Sequence, residues 1–180
     1  MWVAPVCTPS CLLALLCHTL RPPARAVTAT QFAFLKQTHA DDTLDFADMQ
    51  IRAATLEFKR DNVSNALDHA KYALYVRQVK LGDSNWATIR AAQQVAMLLA
   101  FNTQLPDALD TYDMLRRELG AKAQRGDRRA ALEGAVCEVR AARVLELMHR
   151  IQEAHARCKH AYEVLTKHLP PDHKYVHAAA

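Results

Sequence analysis

Glycine is scarce in this 180-residue chain: Gly82, Gly120, Gly126 and Gly134 are the only four. Proline is rare where it would matter, because Pro106 is the single proline between residues 42 and 168. Glycine costs a helix backbone entropy and proline breaks its hydrogen bonds, so a long span this poor in both is read as all-α. The five cysteines (Cys7, Cys11, Cys17, Cys137 and Cys158) form no CxxC pair and are odd in number, which argues against a disulfide framework and a zinc site. The longest early apolar stretch, "CLLALLC" (11–17), is too short to span a bilayer, which needs about 20 apolar residues. A net charge of +4 is too mild to point to nucleic acid by itself. Half of the residues are hydrophobic and about a quarter charged, a globular composition of one-domain size.

Residues 1–40 hold no Asp or Glu, yet carry Arg21, Arg25 and Lys36. This acid-free leader fits a mitochondrial presequence, although its arginines come late and serine is scarce. A secretory signal with Ala24-Arg25-Ala26 as its cleavage site competes, but lacks the leading positive residues. The expectation is a poorly ordered, mitochondrial-type leader over 1–40 with a short helix at 29–40, where Phe32, Phe34 and Leu35 could cap the repeat domain; the alternative address is cytoplasmic.

The rest of the chain contains a repeat. Aligning Ala66, Ala108 and Ala154 puts Val63, Leu105 and Ile151 three residues before the anchor. Ala70, Tyr112 and Cys158 fall four residues after it, and Ala73, Leu115 and Ala161 seven after. Positions 0, +4 and +7 share one helix face, and small residues there let a second helix come close. An earlier helix in each unit carries Ala54, Ala96 and Ala142 twelve before the anchor, and Leu56, Leu98 and Val144 ten before. The corners between read "KRDN", "FNTQ" and "MHR", so each unit is an antiparallel αα-hairpin. Gly82 is expected to end the first unit, with Asp83 or Ser84 capping the next helix, and Pro170-Pro171 to end the third. The second is expected to stop at Leu119-Gly120, leaving "AKAQRGDRRA" as an inserted charged linker; the anchors are accordingly 42 and then 46 residues apart. The expected hairpins are 43–81, 84–119 and 128–169 within a repeat domain at 43–176, followed by the stub of a further helix at 177–180.

The stretch "VAMLLAFNTQLPDALDTYDML" (95–115) resembles the tetratricopeptide repeat. The stops "LGDSNWAT" and "LPPDHKYV" resemble the linkers of its 42-residue, kinesin-light-chain-like variety. The chain departs from the pattern at several places: no unit has the early Trp, Asp61, Thr103 and His149 stand where the corner glycine belongs, and Glu57 replaces an aromatic or Leu. Armadillo and HEAT repeats are of similar length, but the tight corner argues against them. The resemblance implies a right-handed α-solenoid of about three hairpins.

It also implies a non-catalytic protein-interaction module, with the first helix of each hairpin lining a concave groove for a partner peptide or helix. Projected onto this chain, the groove residues are Arg52 and Thr55, then Gln93, Gln94 and Met97, then Arg140 and Arg143. Such a groove is polar to mildly basic and suits an acidic or amide-rich segment, while a set of merely solvated helix faces is the plainer alternative. Ile51 and Thr55 stand where a chaperone-tail clamp needs Lys and Asn, so that partner is not expected.

An RNA- or phosphate-binding reading would use Arg116, Arg117, Lys122, Arg125, Arg128 and Arg129 around the expected linker. Glu118 and Asp127 interrupt these, no aromatic is interleaved for base stacking, and the pentatricopeptide RNA readers have a shorter period. A solvated charged loop is the preferred reading, and "RGD" at 125–127 is taken as a chance tripeptide. No enzyme motif is present: no phosphate-cradling glycine loop, no HExxH and no glycine-flanked serine. His155, Cys158 and His160 are the sharpest reactive group, but Cys158 falls on the core face, where a thiol behaves as a small hydrophobe. His149, His168, His173 and His177 lack ligand spacing. No cofactor, metal or small-molecule substrate is expected.

Overall fold

The computed structural model describes residues 43–170 and 172–179, and every regular element among them is a helix. In chain order these are α1 (Leu44–Lys59), α2 (Val63–Leu81), α3 (Trp86–Phe101), α4 (Leu105–Gln124), α5 (Arg128–Leu147), α6 (Ile151–His168) and α7 (Lys174–Ala179). Each helix packs on its neighbours in sequence, and α7 folds back onto α5 as well as α6. The result is an α-solenoid of three hairpins, α1–α2, α3–α4 and α5–α6. The leader and its expected helix at 29–40 lie outside the described residues. The final helix begins at Lys174, ahead of the stub expected at 177–180, and buries Val176 and Ala179 among Ala135, Val139, Ala161 and Leu165.

The anchor alanines lie in the packed interior. Ala66, Ala108 and Ala154 are buried, as are Ala70, Tyr112, Ala73, Leu115 and Ala161 on the same faces. Ala54, Ala96 and Ala142 meet them from the first helices. Side chains this small let two backbones come together, and the larger Leu67, Leu98, Leu99, Leu109, Leu115, Val144 and Leu145 fill the space around the contact. Leu56 is the exception, 54% exposed where Leu98 and Val144 are buried. Its helix is the first of the row, so the face that α3 and α5 turn to a preceding unit has no described neighbour in α1.

All three corners have the same backbone. Asp61, Thr103 and His149 have φ of 60°, 59° and 60°, the left-handed conformation that non-glycine residues adopt at a cost. The residue after each donates its N–H five positions back: Asn62 to the Glu57 carbonyl (3.0 Å), Gln104 to Leu99 (2.9 Å) and Arg150 to Leu145 (2.9 Å). The left-handed residue donates three back, to Phe58, Ala100 and Glu146. These paired bonds are the Schellman termination, and they satisfy carbonyls that a helix end would otherwise leave open. Glu57 adds to the first corner by accepting from Asn62 Nδ2 at 3.0 Å and from Arg60 Nη1 at 3.1 Å.

The connection between α4 and α5 corrects the expected charged linker. Helix α4 runs through Gly120 to Gln124, because Leu119 and Ala123 pack into the core and outweigh glycine's helix cost of roughly 1 kcal/mol. Only Arg125, Gly126 and Asp127 lie between the helices, and they close with a fourth Schellman turn about Gly126 at φ 89°. The extra residues of the third unit are instead helical, since α5 has 20 residues where α3 has 16. Four residues are close to one turn of 3.6, so the insertion lengthens the helix without rotating its buried face. The cap of α3 also differs from expectation. Asn85 accepts from the Ala87 N–H at 2.9 Å, while Asp83 accepts from Gln78 and Ser84 donates to Glu118.

A charged network fastens the third unit to the second. The Glu138 side chain on α5 is only 6% exposed and lies 3.3 Å from Arg157 on α6 and 3.5 Å from Arg116 on α4. Arg157 also lies 2.7 Å from Asp113 on α4, as an ion pair rather than a directed hydrogen bond. Removing one partner of such a pair leaves an uncompensated buried charge.

Two stability outcomes are expected. Replacing Arg157 by Met leaves the buried Glu138 carboxylate with only the exposed Arg116 and should lower the unfolding free energy by about 3 kcal/mol, and adding Glu138→Gln should restore part of it; urea titration of the two variants reads the difference. Thr103→Gly should raise stability by about 0.5–1 kcal/mol, because relief of the left-handed strain exceeds the added unfolded-state entropy. The gain should be smallest for Asp61→Gly, since aspartate tolerates that conformation best of the three; thermal melts giving losses at all three corners would refute the account.

Candidate functional site

The first helices of the three hairpins stand side by side and touch through side chains. Phe58 of α1 meets Phe101 of α3 edge-on, with ring centroids 5.0 Å apart. Gln94 of α3 reaches Thr55 Oγ1 of α1 at 3.4 Å. Gln93 donates to Glu133 Oε2 of α5 at 3.0 Å and to Cys137 Sγ at 3.4 Å. Between them lies an open cavity of about 280 Å3.

Arg90, Gln93, Gln94, Met97 and Leu98 line it from α3, with Thr55 and Phe58 from α1 and Arg140 from α5. Residues 90, 93, 94 and 97 recur at helical spacing and so share one side of α3. The lining's apolar end, at Phe58 and Met97, lies toward the C-termini of α1 and α3; exposed Arg90 and half-buried Arg140 make up its cationic end, and no carboxylate lines the cavity. Of the expected groove residues, the structure brings together Thr55, Gln93, Gln94, Met97 and Arg140. Arg52 and Arg143 are exposed on α1 and α5 and do not line this cavity. Arg143 instead lies close enough to Cys158 to favour its thiolate. Sequence reasoning missed Phe58 and Arg90; the signal for Arg90 was its place three and four residues before Gln93 and Gln94.

Beneath the cationic end are two buried ionisable groups. Burial pushes the Cys137 thiol up to about 11, against the opposing influence of the Gln93 amide and Arg140. Burial likewise pushes the Tyr112 hydroxyl up to about 12, with Arg140 opposing. Burial also raises the Cys158 thiol, the reverse of what an activated nucleophile needs, and His155 and His160 beside it are exposed. Among the described residues, no three His, Cys, Asp or Glu side chains are grouped to hold a metal ion.

The residues of the alternative basic patch make contacts within the fold. Arg129 lies over the Trp86 ring at 4.1 Å and Lys122 over the same ring at 5.5 Å. Arg128 donates to the His168 carbonyl at 2.8 Å, and Arg116 faces Glu138 and Asp113. Arg117 and Arg125 are exposed.

No protein-family model and no curated protein matches this chain. Solved structures do. Two crystal structures of a Podosopora anserina kinesin light chain with nearly identical TPR-like repeats are similar at 15% identity. One is a point variant; the TM-scores are 0.65 and 0.64, and each match covers 87% of this chain and 70% of the other. At that identity the likeness is one of fold, and it defines the class as a TPR-like α-solenoid.

Neutral Cys137 and Tyr112 make stability alkali-sensitive. In the unfolded chain both ionise at lower pH than in the folded one, so the thiol's contribution is full below about pH 8.5 and lost as pH rises through about 11, and the hydroxyl's is full below about pH 10 and lost as pH rises through about 12. The thiol alone should account for roughly 2–3 kcal/mol of that loss. Urea titrations from pH 7 to 11 should show a shallower decline in Cys137→Val than in the parent chain. Parallel declines would contradict the assignment.

Proposed function

We propose that this chain is a non-catalytic scaffold that binds a segment of another protein, as an extended peptide or a helix, in the cavity formed by α1, α3 and α5. The observation that carries the reading is the lining itself. Side chains from three successive first helices converge on one open cavity with an apolar end, amide and hydroxyl groups, and two guanidinium groups. Recognition sites combine apolar surface with a few placed polar groups in this way. The fold supports the reading in general terms, because TPR-like solenoids serve as protein-interaction scaffolds. Lacking any lining carboxylate, the cavity suits an acidic or amide-rich segment.

None of the helices among the described residues is long and apolar enough to cross a membrane. A mitochondrial address is proposed on the acid-free leader alone. Recovery of the mature protein from mitochondria with part of residues 1–40 removed would support it, and an intact leader would count against it.

Pull-down from the native source, followed by mass spectrometry, tests the scaffold reading. A reproducible partner should be captured by the parent chain. Capture should fall by about tenfold or more with Gln94→Ala plus Arg140→Ala, equivalent to roughly 1.4 kcal/mol of lost binding. Circular dichroism should be unchanged in that variant. Undiminished capture would remove the cavity from the interface.

A further inference from the structure

Five arginines in the described chain already face a carboxylate. Arg60 pairs with Glu57, Arg77 with Asp48, Arg150 with Glu153, and Arg116 and Arg157 with Glu138 and Asp113. The two that line the cavity do not. Neither Arg90 nor Arg140 has a carboxylate within 4.0 Å among the described residues. Glu133, the acid whose side chain reaches Gln93, accepts from that amide at 3.0 Å.

We infer that the cationic end of the cavity is a subsite for a phosphorylated serine or threonine of the partner segment, held between Arg90 and Arg140; the inference rests on the scaffold reading above. The argument is one of charge and donor count. Two guanidinium groups from adjacent first helices present two forks of N–H donors to one space. One carboxylate can bridge two guanidinium groups, as Glu138 does with Arg157 and Arg116, but its single charge leaves one of the two positive charges uncompensated. A phosphoryl group carries about −1.5 to −2 and three acceptor oxygens, which both forks can share. Gln94 donates to Thr55 through one amide hydrogen and has a second to offer. Phe58 and Met97 at the far end of the lining then take an apolar side chain of the same segment. The partner is thereby oriented, with its anion toward Arg90 and Arg140 and its apolar residue toward the α1–α2 corner.

The probes are three peptide libraries, centred on phosphoserine, on serine and on glutamate, applied to the immobilised full chain. Selected sequences are then measured by fluorescence anisotropy. Phosphoserine peptides should bind about tenfold or more tightly than their serine and glutamate counterparts. Arg90→Gln and Arg140→Gln should each abolish most of that preference, whereas Arg117→Gln, an exposed arginine outside the cavity, should preserve it. Equal binding of phosphoserine and serine peptides, no binding by any library, or a preference that survives both substitutions would overturn the inference. Glutamate peptides binding as well as phosphoserine peptides would overturn it too, by making the subsite one for a carboxylate. The scaffold reading is judged separately, by capture of the native partner with Met97→Glu. Loss of capture there, with no phosphoserine preference, leaves the scaffold standing and removes only the phosphoryl subsite.

Discussion

Close approach of helices over alanine is the constraint on which the remaining structure depends. At Ala66, Ala108 and Ala154, all buried, the second helices present nothing wider than a methyl group to the interior. A row of such contacts sets the distance between the two helices of each hairpin, and the leucines and valines around them are sized to that distance. The corners have to agree with it. A three-residue connection can join helices this near only if the chain reverses sharply, which is what the left-handed residue and its paired backbone bonds accomplish. Asp61, Thr103 and His149 accept strain at the position where glycine would carry none. They do so at the same φ in three units, so one turn geometry serves every hairpin.

The repeat was legible because helix periodicity and small-residue spacing are local properties of sequence. So were the corners, where the aligned departures Asp61, Thr103 and His149 marked the turning point even though none is glycine. Gly120 misled for the complementary reason: glycine permits a helix to stop but does not compel it, and the burial of Leu119 and Ala123 decides the matter. The four extra residues of the third unit misled similarly. A charged stretch reads as a loop, but the exposed side of a helix is charged as well, and four residues add one turn that keeps the apolar face in register. Leu56 shows the limit of the repeat itself, since equivalent positions have equivalent surroundings only inside the row.

The polar network had a weaker signature. Glu138 stands in an apolar run, "AVCEVRAA", and an acid there needs a cation brought by another helix. Which cation could not be read, because Arg157 and Arg116 come from two other helices and meet it only through packing. A buried ion group of this kind is poor evidence of added stability, as its desolvation offsets most of its attraction. Its physical consequence is geometric. The equivalent position of the second unit is the buried Ala92, so the junction between the second and third hairpins carries a buried carboxylate where the junction before it has a methyl group.

The same contrast bears on the candidate site. Cavity-lining residues Thr55, Gln93, Gln94, Met97 and Arg140 could be projected because the resemblance to tetratricopeptide repeats implies which side of each first helix faces a groove. The state of their charges could not, since pairing is a tertiary property. Arginines at the hairpin junctions find acids, and Lys122 and Arg129 find the face of Trp86. Arg90 and Arg140 find neither, and both line the same cavity. Two cations that contact one bound anion act on it from well within a Debye length of about 8 Å, so those two groups weigh more in recognition than a net charge of +4 spread over the whole chain suggests.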